Sequence, residues 1–579
     1  MERRLIEERF PVQKVNEAAK AEAPFIRIPK INNLHPWFAR RICGVARVLT
    51  LSAALPDDGE AEEALKDLTG ISIRKGTLPF GALYMFQPPT EKVSEIVERL
   101  TGKRPEEIIV IDPMAGGGSI PLEALRLGFR TIAADYNPVS YLILRATVEF
   151  PAKYADKGLF ERTLEEAKRM IEWSREELGD LYGEDAENYI FARGVNCPHC
   201  GGLIPIVGFG TEITKKNWKR KFLEVKFDKE TKCFEAKSVD RHPKEWLRKT
   251  RGGVISVECP YCGRFFALRG RGEDHAFARW FREHARTMEG IIEGFEPAGE
   301  ATETLLRLHI PLVKQVGSGF VAVANDEGEI KRFAEAIRRL ADEAQTSDLL
   351  DYIPTDPIPE ENRWASSARN LGLTEWYMLY NPRQLYVLAK LAQYIARRAT
   401  KLMKEDTEFG ATVALYLTFG LDKVVNYNTI ITSWDRSQTS IRDSLGGLGI
   451  RNEYCELVVT FPSRSLEWAL EPNVAEKGEF QRTGGGVLPV LRALCNWFRE
   501  RELGDRTTVF LADATKFSSI VGQGSLDIVN VDPPYFEQVV YSDKIEFIWS
   551  FRLEPEGRER CPTSKEERTC RPWEIKERV

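Results

Sequence analysis

The chain has 579 residues, of which 43% are hydrophobic and 29% are charged, and its formal net charge is −5. This length exceeds what one hydrophobic core supports, so we expect about two to four domains. The slightly acidic balance gives no chain-wide signature of nucleic-acid binding. No apolar stretch has the length of a membrane span, and the N-terminus leads into no apolar signal core, which predicts a cytoplasmic protein without a membrane partner.

The first region, residues 1–95, is predicted to form a separate N-terminal domain. Apolar spacing predicts a helix over Leu34–Leu55 that also carries Arg47. Basic and aromatic side chains cluster at its start, namely His35, Trp37, Arg40 and Arg41. Two interpretations stay open from residue types alone. Either the cluster contacts a cofactor or nucleic acid, or Trp37 is a buried helix anchor and the arginines are solvated.

Residues 96–160 are predicted to form the first half of an α/β sheet. An apolar strand, Ile108–Ile111, runs into Asp-Pro-Met-Ala-Gly-Gly-Gly at 112–118 and then into a helix that Ser119 opens. Glycines let a ligand approach the backbone, and a helix N-terminus favours a carboxylate. The next strand, Thr131–Ala134, ends at Asp135, which is placed to take two ribose hydroxyls, with Tyr136 and Asn137 beside it. No Lys-Ser/Thr follows the glycines, which excludes the phosphate-cradling loop of nucleotide triphosphatases.

A zinc ribbon is predicted over residues 190–285. Two Cys-Pro-x-Cys knuckles with 58 residues between them supply four thiolates, from Cys197, Cys200, Cys259 and Cys262. Four thiolates suit tetrahedral zinc in a closed, structural site. The other cysteines are scattered singly, which fits a reducing compartment. His199 and Cys233 are predicted to be packing residues, and the long loop between the knuckles predicts an elaborated sheet.

The ribbon region is basic although the whole chain is acidic. From Cys197 to His284 there are 19 Lys/Arg against 11 Asp/Glu, a local excess of 8. Cations alternate with tryptophans in two runs, 215–221 around Trp218 and 241–251 around Trp246. Such a surface can neutralise phosphates and stack on bases, so nucleic-acid contact is favoured over a solvated loop.

Residues 290–505 are predicted to form a mainly helical insert, which is a candidate for target recognition. The patterns predict a strand at Gly319–Ala324 and helices over Glu329–Ala344, Pro382–Lys404 and Thr407–Val425. The polar and aromatic groups at 426–428 and 434–436 fit substrate-facing loops and ordinary helix caps equally well.

The last region, residues 506–579, is predicted to return to the first sheet. Residues 508–513 form a third strand with Asp513 at its carboxyl end, and the apolar run 526–531 forms a buried strand. That run ends in Asp532, Pro533, Pro534 and Tyr535. Two prolines cannot continue a strand ladder, so the backbone leaves the sheet just after Asp532 and holds the acid and the ring at its lip, where open α/β sheets place their chemistry.

The Asp-Pro-Pro-Tyr sequence has a chemical rationale. An exocyclic amino group on an aromatic base is a poor nucleophile because its lone pair is delocalised into the ring. The carboxylate of Asp532 and the carbonyl of Pro533 can accept both N–H hydrogens and localise that lone pair, while a stacked Tyr535 fixes the ring plane. The competing interpretation is an ordinary strand followed by a Pro-Pro turn.

Together these segments resemble a family of large adenine-specific DNA methylases, which are S-adenosylmethionine-dependent amino-methyltransferases with a characteristic N-terminal domain and an inserted zinc ribbon. The resemblance extends over nearly the whole chain, through residues 33–41, the glycine loop, both knuckles, Asn381–Gln384, Ala414–Asp422 and the final Asp-Pro-Pro-Tyr. It implies an α/β fold with a Rossmann-like methyltransferase sheet, and it places His35, Trp37 and the adjacent arginines near the methionine end of the cofactor. The implied cofactor-binding residues are Asp112, Pro113, Ala115, Gly116, Gly117, Gly118, Asp135, Tyr136, Asn137 and Asp513.

The chain departs from this pattern after Asp-Pro-Pro-Tyr. The family continues for about three further strands, whereas here only Val539–Phe551 has a helical pattern and 552–579 is mostly charged. Either the sheet is truncated and incomplete, or strands of the insert, such as Gly319–Ala324 or Glu456–Phe461, take the place of the missing ones. Truncation is favoured, which leaves open whether the chain is an active enzyme.

The resemblance implies transfer of a methyl group from S-adenosylmethionine to N6 of adenine in DNA, with structural zinc as the second cofactor. DNA is favoured over RNA as the partner, and a helicase or another component of a defence system is a candidate partner protein. Two alternatives stay open. The chain methylates an amino group of an RNA base, or it is an inactive nucleic-acid-binding component of a defence or repair complex.

Overall fold

The structure, a computed structural model, shows a mixed α/β protein with several sheets. It describes residues 3–21, 29–37, 40–71, 83–207, 212–214, 220–243, 248–251, 253–270, 275–446, 450–461, 465–476, 485–499, 501, 503–519, 521–522, 524–533, 541–548 and 550–551. Among the helices within these ranges, none has both the length and the apolar run that crossing a bilayer requires.

The α-helices of the described ranges are α1 Leu5–Glu8, α2 Val12–Ala21, α3 Cys43–Ala54, α4 Gly59–Thr69, α5 Thr90–Thr101, α6 Ser119–Arg126, α7 Pro138–Leu144, α8 Phe150–Tyr154, α9 Leu159–Leu178, α10 Ala276–Ile292, α11 Ala298–Leu308, α12 Glu327–Thr346, α13 Ser366–Arg369, α14 Pro382–Glu405, α15 Thr407–Asn426, α16 Leu466–Leu470, α17 Val487–Phe498 and α18 Tyr541–Ile548. The strands are β1 Ile109–Asp112, β2 Arg130–Asp135, β3 Asn188–Asn196, β4 Leu203–Ile206, β5 Glu212–Thr214, β6 Lys221–Phe227, β7 Phe234–Val239, β8 Arg248–Arg251, β9 Val254–Glu258, β10 Phe265–Arg269, β11 His309–Val316, β12 Gly319–Ala322, β13 Ser433–Asp435, β14 Ser440–Arg442, β15 Glu453–Leu457, β16 Thr507–Leu511 and β17 Ile528–Val529.

One sheet is parallel and has the strand order β16-β2-β1-β17. Its strands come from two distant regions of the chain, so the third strand and the strand before Asp532 do return to the first two, as the sequence predicts. Leu511 pairs with Asp135, and Val529 pairs with Ile111. The carboxyl ends of all four strands therefore lie at the same end of the sheet, its carboxyl edge.

Helices α3 and α6 pack together beside this sheet, and a buried group of charges joins them. The Nε atom of Arg47 donates to Glu123 at 2.6 Å, and Nη1 of Arg126 donates to the other carboxylate oxygen at 2.7 Å. All three side chains are excluded from solvent. The interpretation that Arg47 is solvated is therefore wrong, because the arginine holds the helix that follows the glycine loop against the N-terminal region.

A second sheet collects the strands of the insert. Its order is β12-β11-β3-β15, with β4 also paired to β3, and every pairing is antiparallel. The two insert strands considered as substitutes in the parallel sheet correspond to β12 and β15, and both belong here instead. That expectation is wrong, because β3 and β11 already pair with them through their full backbone ladders.

The long helices of the insert begin and end close to their predicted positions. Helix α14 begins at Asn381, whose side chain accepts from the backbone of Gln384 while Gln384 bonds back to the backbone of Asn381. Arg383, one residue earlier than Gln384, forms a buried ion pair with Glu456 on β15 at 2.7 Å. The Asn-Pro-Arg-Gln segment therefore caps a helix and attaches it to the second sheet.

The predicted boundaries differ most on either side of the parallel sheet. The helix predicted over Leu34–Leu55 begins only at Cys43. The strand predicted over 526–531 is regular only at Ile528–Val529, although the backbone N–H groups of Asp527 and Asn530 still donate to the carbonyls of Ile109 and Ile111 at 3.1 and 3.0 Å. The side chain of Asn530 donates to Thr50 Oγ1 of α3 at 3.0 Å. Of the predicted helix Val539–Phe551, residues 541–548 are helical as α18, and 552–579 lie outside the described residues.

Candidate active site and metal centre

The glycine loop connects the end of β1 to the start of α6. Gly116 and Gly118 have φ angles of +52° and +85°, which favour glycine because a Cβ is strained there. The backbone of Ala115 donates to Ala134 of β2 at 2.9 Å, which fixes the loop to the neighbouring strand. The helix N-terminus of α6 therefore opens at the sheet edge, as predicted from the sequence.

Asp135 holds this loop from the end of β2. One carboxylate oxygen accepts from the backbone N–H of Gly116 at 2.9 Å, and the other accepts from that of Asn137 at 2.8 Å. Burial raises the pKa of Asp135, and these two backbone donors oppose that rise. Hydrogen bonds from Ser140 and from the backbone of Tyr136 also lower its pKa, so the observed role of Asp135 is to shape the loop.

Three carboxylates lie at this edge of the sheet. Asp112, at the end of β1, is buried and accepts from the backbone N–H of Met114 at 3.1 Å. Burial, with smaller contributions from the charges of Asp135 and Asp532, raises its pKa to about 8, although the hydrogen bond from Met114 opposes the rise. The structure thus brings together acids that stand more than 390 positions apart in the chain, and a cation placed among them would be stabilised by their charge.

The N-terminal segment 35–41 covers the glycine loop. A Cβ at Gly116 would lie 2.6 Å from Nε1 of Trp37, and one at Gly117 would lie 2.5 Å from Nε of Arg40. Nη1 of Arg40 donates to the carbonyl of Gly117 at 2.9 Å. The structure therefore supports the interpretation in which this cluster lies against the glycine loop. It does not support the interpretation in which the cluster is a solvated helix start.

Asp532 faces the same segment. Nε and Nη2 of Arg41 donate to its two carboxylate oxygens in a bidentate ion pair. Pro533 follows Asp532 within the described residues, whereas Pro534 and Tyr535 lie outside them. The structure therefore tests the position of the acid of Asp-Pro-Pro-Tyr but not that of its tyrosine.

The remaining predicted cofactor residues surround the loop. Tyr136 exposes 68% of its surface, so its ring is free to stack on a planar ligand. The side chain of Asn137 caps α7 by accepting from Val139 and Ser140, which is a structural role. Asp513 lies two residues beyond β16, where Thr515 donates to it and lowers its pKa. Pro113 lies between Asp112 and Met114 at the turn itself.

Buried polar groups without a hydrogen-bond partner lie beside the glycine loop. Within the described ranges, Nε of Arg40 and Oγ of Ser119 are buried and have no hydrogen-bond partner. A cationic N–H and a hydroxyl at a helix N-terminus suit a carboxylate, and the acids at 112 and 135 suit an ammonium group. The space that Cβ atoms would take at Gly116 and Gly117 is occupied by Trp37 and Arg40.

Sequence patterns gave no sign of three features of this site. A π-helical turn, 145–149, lies between α7 and α8 and touches Gly118, where a Cβ would be 3.4 Å from Thr147. Such turns are frequent at functional sites, but a one-residue insertion does not change apolar spacing visibly. The pairing of Arg41 with Asp532 and the bond between His35 and Asp422 also link segments too distant for any local pattern to relate, although both histidine and aspartate lie in segments that carry the family resemblance.

The four predicted metal ligands meet in one cluster. The sulfurs of Cys197, Cys200, Cys259 and Cys262 all lie within 4.8 Å of one another. The Cys197–Cys262 and Cys200–Cys259 sulfur distances are 3.9 and 3.7 Å, close to the value of about 3.8 Å that tetrahedral bonds of about 2.3 Å require. The four cysteines can therefore hold a metal ion such as zinc.

The two knuckles have the same backbone geometry. Gly201 donates to the carbonyl of Cys197, and Gly263 donates to that of Cys259, each at 2.9 Å. Both glycines have positive φ. His199 turns away from the sulfurs toward the carbonyl of Phe265, and Cys233 is exposed and outside the cluster. Neither belongs to the cluster, but both are exposed, so the expectation that they are packing residues is wrong.

The basic surface of the ribbon is partly neutralised. In the described part, Lys221, Lys226 and Lys237 pair with neighbouring acids at 2.6, 3.4 and 3.0 Å. Residues 215–219 and 244–247, which include both tryptophans of the predicted surface, lie outside the described residues. Each pair joins one cation to one acid, so these pairs leave the local excess of 8 positive charges unchanged.

Two surface cavities, of about 420 and 310 Å³, lie away from the parallel sheet and between α9, α12 and α14. Ion pairs line them, such as Arg339 with Asp180 and Arg398 with Glu166. Because these charges already satisfy one another, the cavities give no reason to place a ligand there.

No protein-family model, no curated protein and no solved structure matches this chain. The fold and the two candidate sites are therefore the observations from which a function can be argued.

Proposed function

We propose that the chain is an S-adenosylmethionine-dependent methyltransferase that acts on the exocyclic N6 of adenine in DNA. The observation that carries the proposal is the meeting of the glycine loop with Asp112, Asp135 and Asp532 at one edge of a parallel sheet. Numbered along the chain, the four strands have the order 3-2-1-4. The first four strands of a doubly wound, Rossmann-like sheet have this order, and such sheets bind ligands beyond the carboxyl ends of their strands.

The cofactor would lie across the glycine loop. Its carboxylate would meet Arg40 and the N-terminus of α6, its ammonium and sulfonium charges would face Asp112, its ribose would meet Asp135, and its adenine would stack on the exposed Tyr136. Support comes from the orphaned N–H of Arg40, the buried acid and the unobstructed ring. When bound, S-adenosylmethionine supplies an electrophilic methyl group that passes directly to an amino nitrogen.

Asp532 would hold that amino nitrogen. Its carboxylate and the carbonyl of Pro533 would accept the two N–H hydrogens, which localises the nitrogen lone pair toward the cofactor. Tyr535, which lies outside the described residues, would stack on the base. The target base would have to leave the duplex, because its amino group cannot otherwise reach a site at the sheet edge. Positioning of two reactants would supply most of the rate, and no covalent enzyme intermediate is needed.

DNA is the favoured substrate because the sequence resembles the adenine-specific DNA methylases through both motifs and the cysteine knuckles. The ribbon and the residues around it are the candidate duplex-binding surface. An RNA amino-methyltransferase would use the same two motifs, so the nature of the acceptor is an outcome of the experiment. A helicase or a defence-system component is the proposed kind of protein partner.

The test is transfer of a labelled methyl group to unmethylated genomic DNA and, separately, to total RNA. We expect label in DNA, recovered as N6-methyladenine after digestion with enzymes that discriminate this base. The Asp532→Ala variant should lose transfer by at least about a hundredfold, as for removal of a group that stabilises developing charge. Asp505→Ala is the matched control and should retain wild-type activity. Asp505 is an exposed acid that precedes β16, at the end of the sheet where the strands begin.

Label in RNA alone would replace DNA by RNA as the substrate. Full activity of the Asp532→Ala variant would refute the assignment of the amino-binding residue. Absence of transfer to either nucleic acid, together with absence of cofactor binding, would favour the non-enzymatic alternative.

A further inference from the structure

Arg41 occupies the oxygens that the proposed reaction needs. Its Nε and Nη2 atoms bind both carboxylate oxygens of Asp532. An incoming amino group has to donate a hydrogen bond to one of the same oxygens. A base that approaches Asp532 from the side of Arg41 therefore competes with this arginine for the carboxylate.

The ion pair is suited to opening. Arg41 exposes 45% of its side chain and Asp532 exposes 21%, so water can replace either partner during exchange. A solvent-exposed ion pair contributes at most about fivefold to an equilibrium, even where the geometry is bidentate. An ion pair of this strength weakens the binding of a competing group to Asp532 without preventing it.

Arg41 is also directly connected to the cofactor loop. The preceding residue, Arg40, donates to the carbonyl of Gly117 and to that of His35, at 2.9 and 3.2 Å. A ligand on the glycine loop would meet the guanidinium of Arg40, and a ligand at Asp532 would meet that of Arg41. Two adjacent residues of one segment thus face the two proposed reactants.

We propose that Arg41 is a positioning residue that caps Asp532 in the free protein, and that cofactor binding against Arg40 releases it, so that the cofactor binds before the base. This inference rests on the proposed function. A merely structural ion pair predicts a different behaviour, because its loss would lower stability without changing how the cofactor affects base binding.

The test is the Kd for unmethylated DNA, measured by fluorescence anisotropy with and without saturating S-adenosylhomocysteine, together with steady-state kinetics on unmethylated genomic DNA. In the wild type, the KM for DNA should fall by up to about fivefold between subsaturating and saturating S-adenosylmethionine, the range that an exposed ion pair allows. In Arg41→Ala, the KM and the Kd for DNA should be low and independent of cofactor concentration. Arg41→Lys should restore part of the dependence, since an ammonium group makes one contact instead of two.

Arg104→Ala is the matched control. Arg104 is another exposed arginine with an acidic partner, Glu107, but it precedes β1 at the opposite edge of the sheet. This variant should keep the wild-type dependence. A general loss of positive charge changes the KM for DNA by the same factor at low and at high cofactor concentration. It therefore leaves the ratio of these two KM values unchanged.

The outcomes separate this inference from the proposed function. If the wild type methylates DNA but Arg41→Ala shows the same cofactor dependence, or loses kcat in parallel with KM, only the role of Arg41 is overturned. If the wild type transfers no methyl group to DNA or RNA, the proposed function fails and this inference fails with it. Arg41→Gln provides a second neutral variant, and it should behave as Arg41→Ala does.

Discussion

His35 and Asp422 are joined by a buried hydrogen bond of 3.1 Å, although 387 positions separate them in the chain. The other ring nitrogen of His35 lies 3.0 Å from the carbonyl of Pro36. Both ring nitrogens therefore lie within hydrogen-bonding distance of oxygen atoms, one on its own segment and one on α15. Through this bond, helix α15 fixes the segment that places Trp37 and Arg40 on the glycine loop.

A double-mutant cycle on this pair should show strong coupling. His35→Ala and Asp422→Ala should each lower the free energy of unfolding by about 1–3 kcal/mol, because each leaves a buried polar partner unpaired. The double variant should cost less than the sum of the two, with a coupling energy of about 0.5–3 kcal/mol. Denaturant unfolding measures these values, and additive losses would show that the bond carries no energy of its own.

Glu123 should be one of the most sensitive positions near the glycine loop. Glu123→Ala would leave Arg47 and Arg126 buried side by side without their shared counter-charge, which we expect to cost about 3–5 kcal/mol. Glu62→Ala is the control, since Glu62 is a solvent-accessible acid on a neighbouring helix that pairs with Lys66, and it should change stability by less than about 0.5 kcal/mol. Similar denaturant midpoints for the two variants would contradict the structural role of the buried charges.

Much of this architecture follows from local patterns in the sequence. The glycine loop, both knuckles, the capped start of α14 and the acids at the strand ends are predicted because strand-turn-helix chemistry and cysteine spacing act over a few residues. The start of α3 is different. Apolar spacing predicts a helix from Leu34, but α3 begins at Cys43, and Trp37 and Arg40 lie against distant glycines.

The buried polar contacts could not be predicted for a related reason. Arg47, Arg383 and Glu456 look like surface residues in a sequence, and only the tertiary packing supplies their partners. The assignment of β12 and β15 to a second sheet likewise depends on long-range pairing with β3 and β11. Apolar patterns identify strands but do not state which sheet they join.

Asp112 should make cofactor binding depend on pH. Burial raises its pKa to about 8, so the protonated form stabilises the free protein at neutral pH and this contribution is lost as pH rises through that value. A cationic ligand favours the ionised form, so binding should release a proton. Affinity for S-adenosylmethionine should then rise by up to about tenfold per pH unit between pH 6 and 8.

Calorimetry in buffers of different ionisation enthalpy measures this proton release directly. The Asp112→Asn variant lacks the titrating group and should show a flatter pH dependence than the wild type. Equal slopes in the two proteins would indicate that another group carries the linkage.

The cysteine cluster should hold one zinc ion per chain and stabilise the ribbon. Cys259→Ser should lose the metal and lower the thermal midpoint by at least about 5 °C, because metal binding is coupled to folding of such sites. Cys233→Ser is the matched control, since this exposed thiol lies outside the cluster. Elemental analysis and thermal unfolding give the two readouts, and unchanged zinc content in Cys259→Ser would remove this cysteine from the ligand set.

Titration calorimetry of S-adenosylmethionine tests the central claim most directly, because every catalytic step proposed depends on a cofactor at the glycine loop beside Asp532. We predict binding to the wild type, strongly reduced binding to Asp135→Ala, which loses the carboxylate that shapes the loop, and nearly unchanged binding to Asp532→Ala. Absence of binding to the wild type, or equal binding by the wild type and Asp135→Ala, would contradict the account.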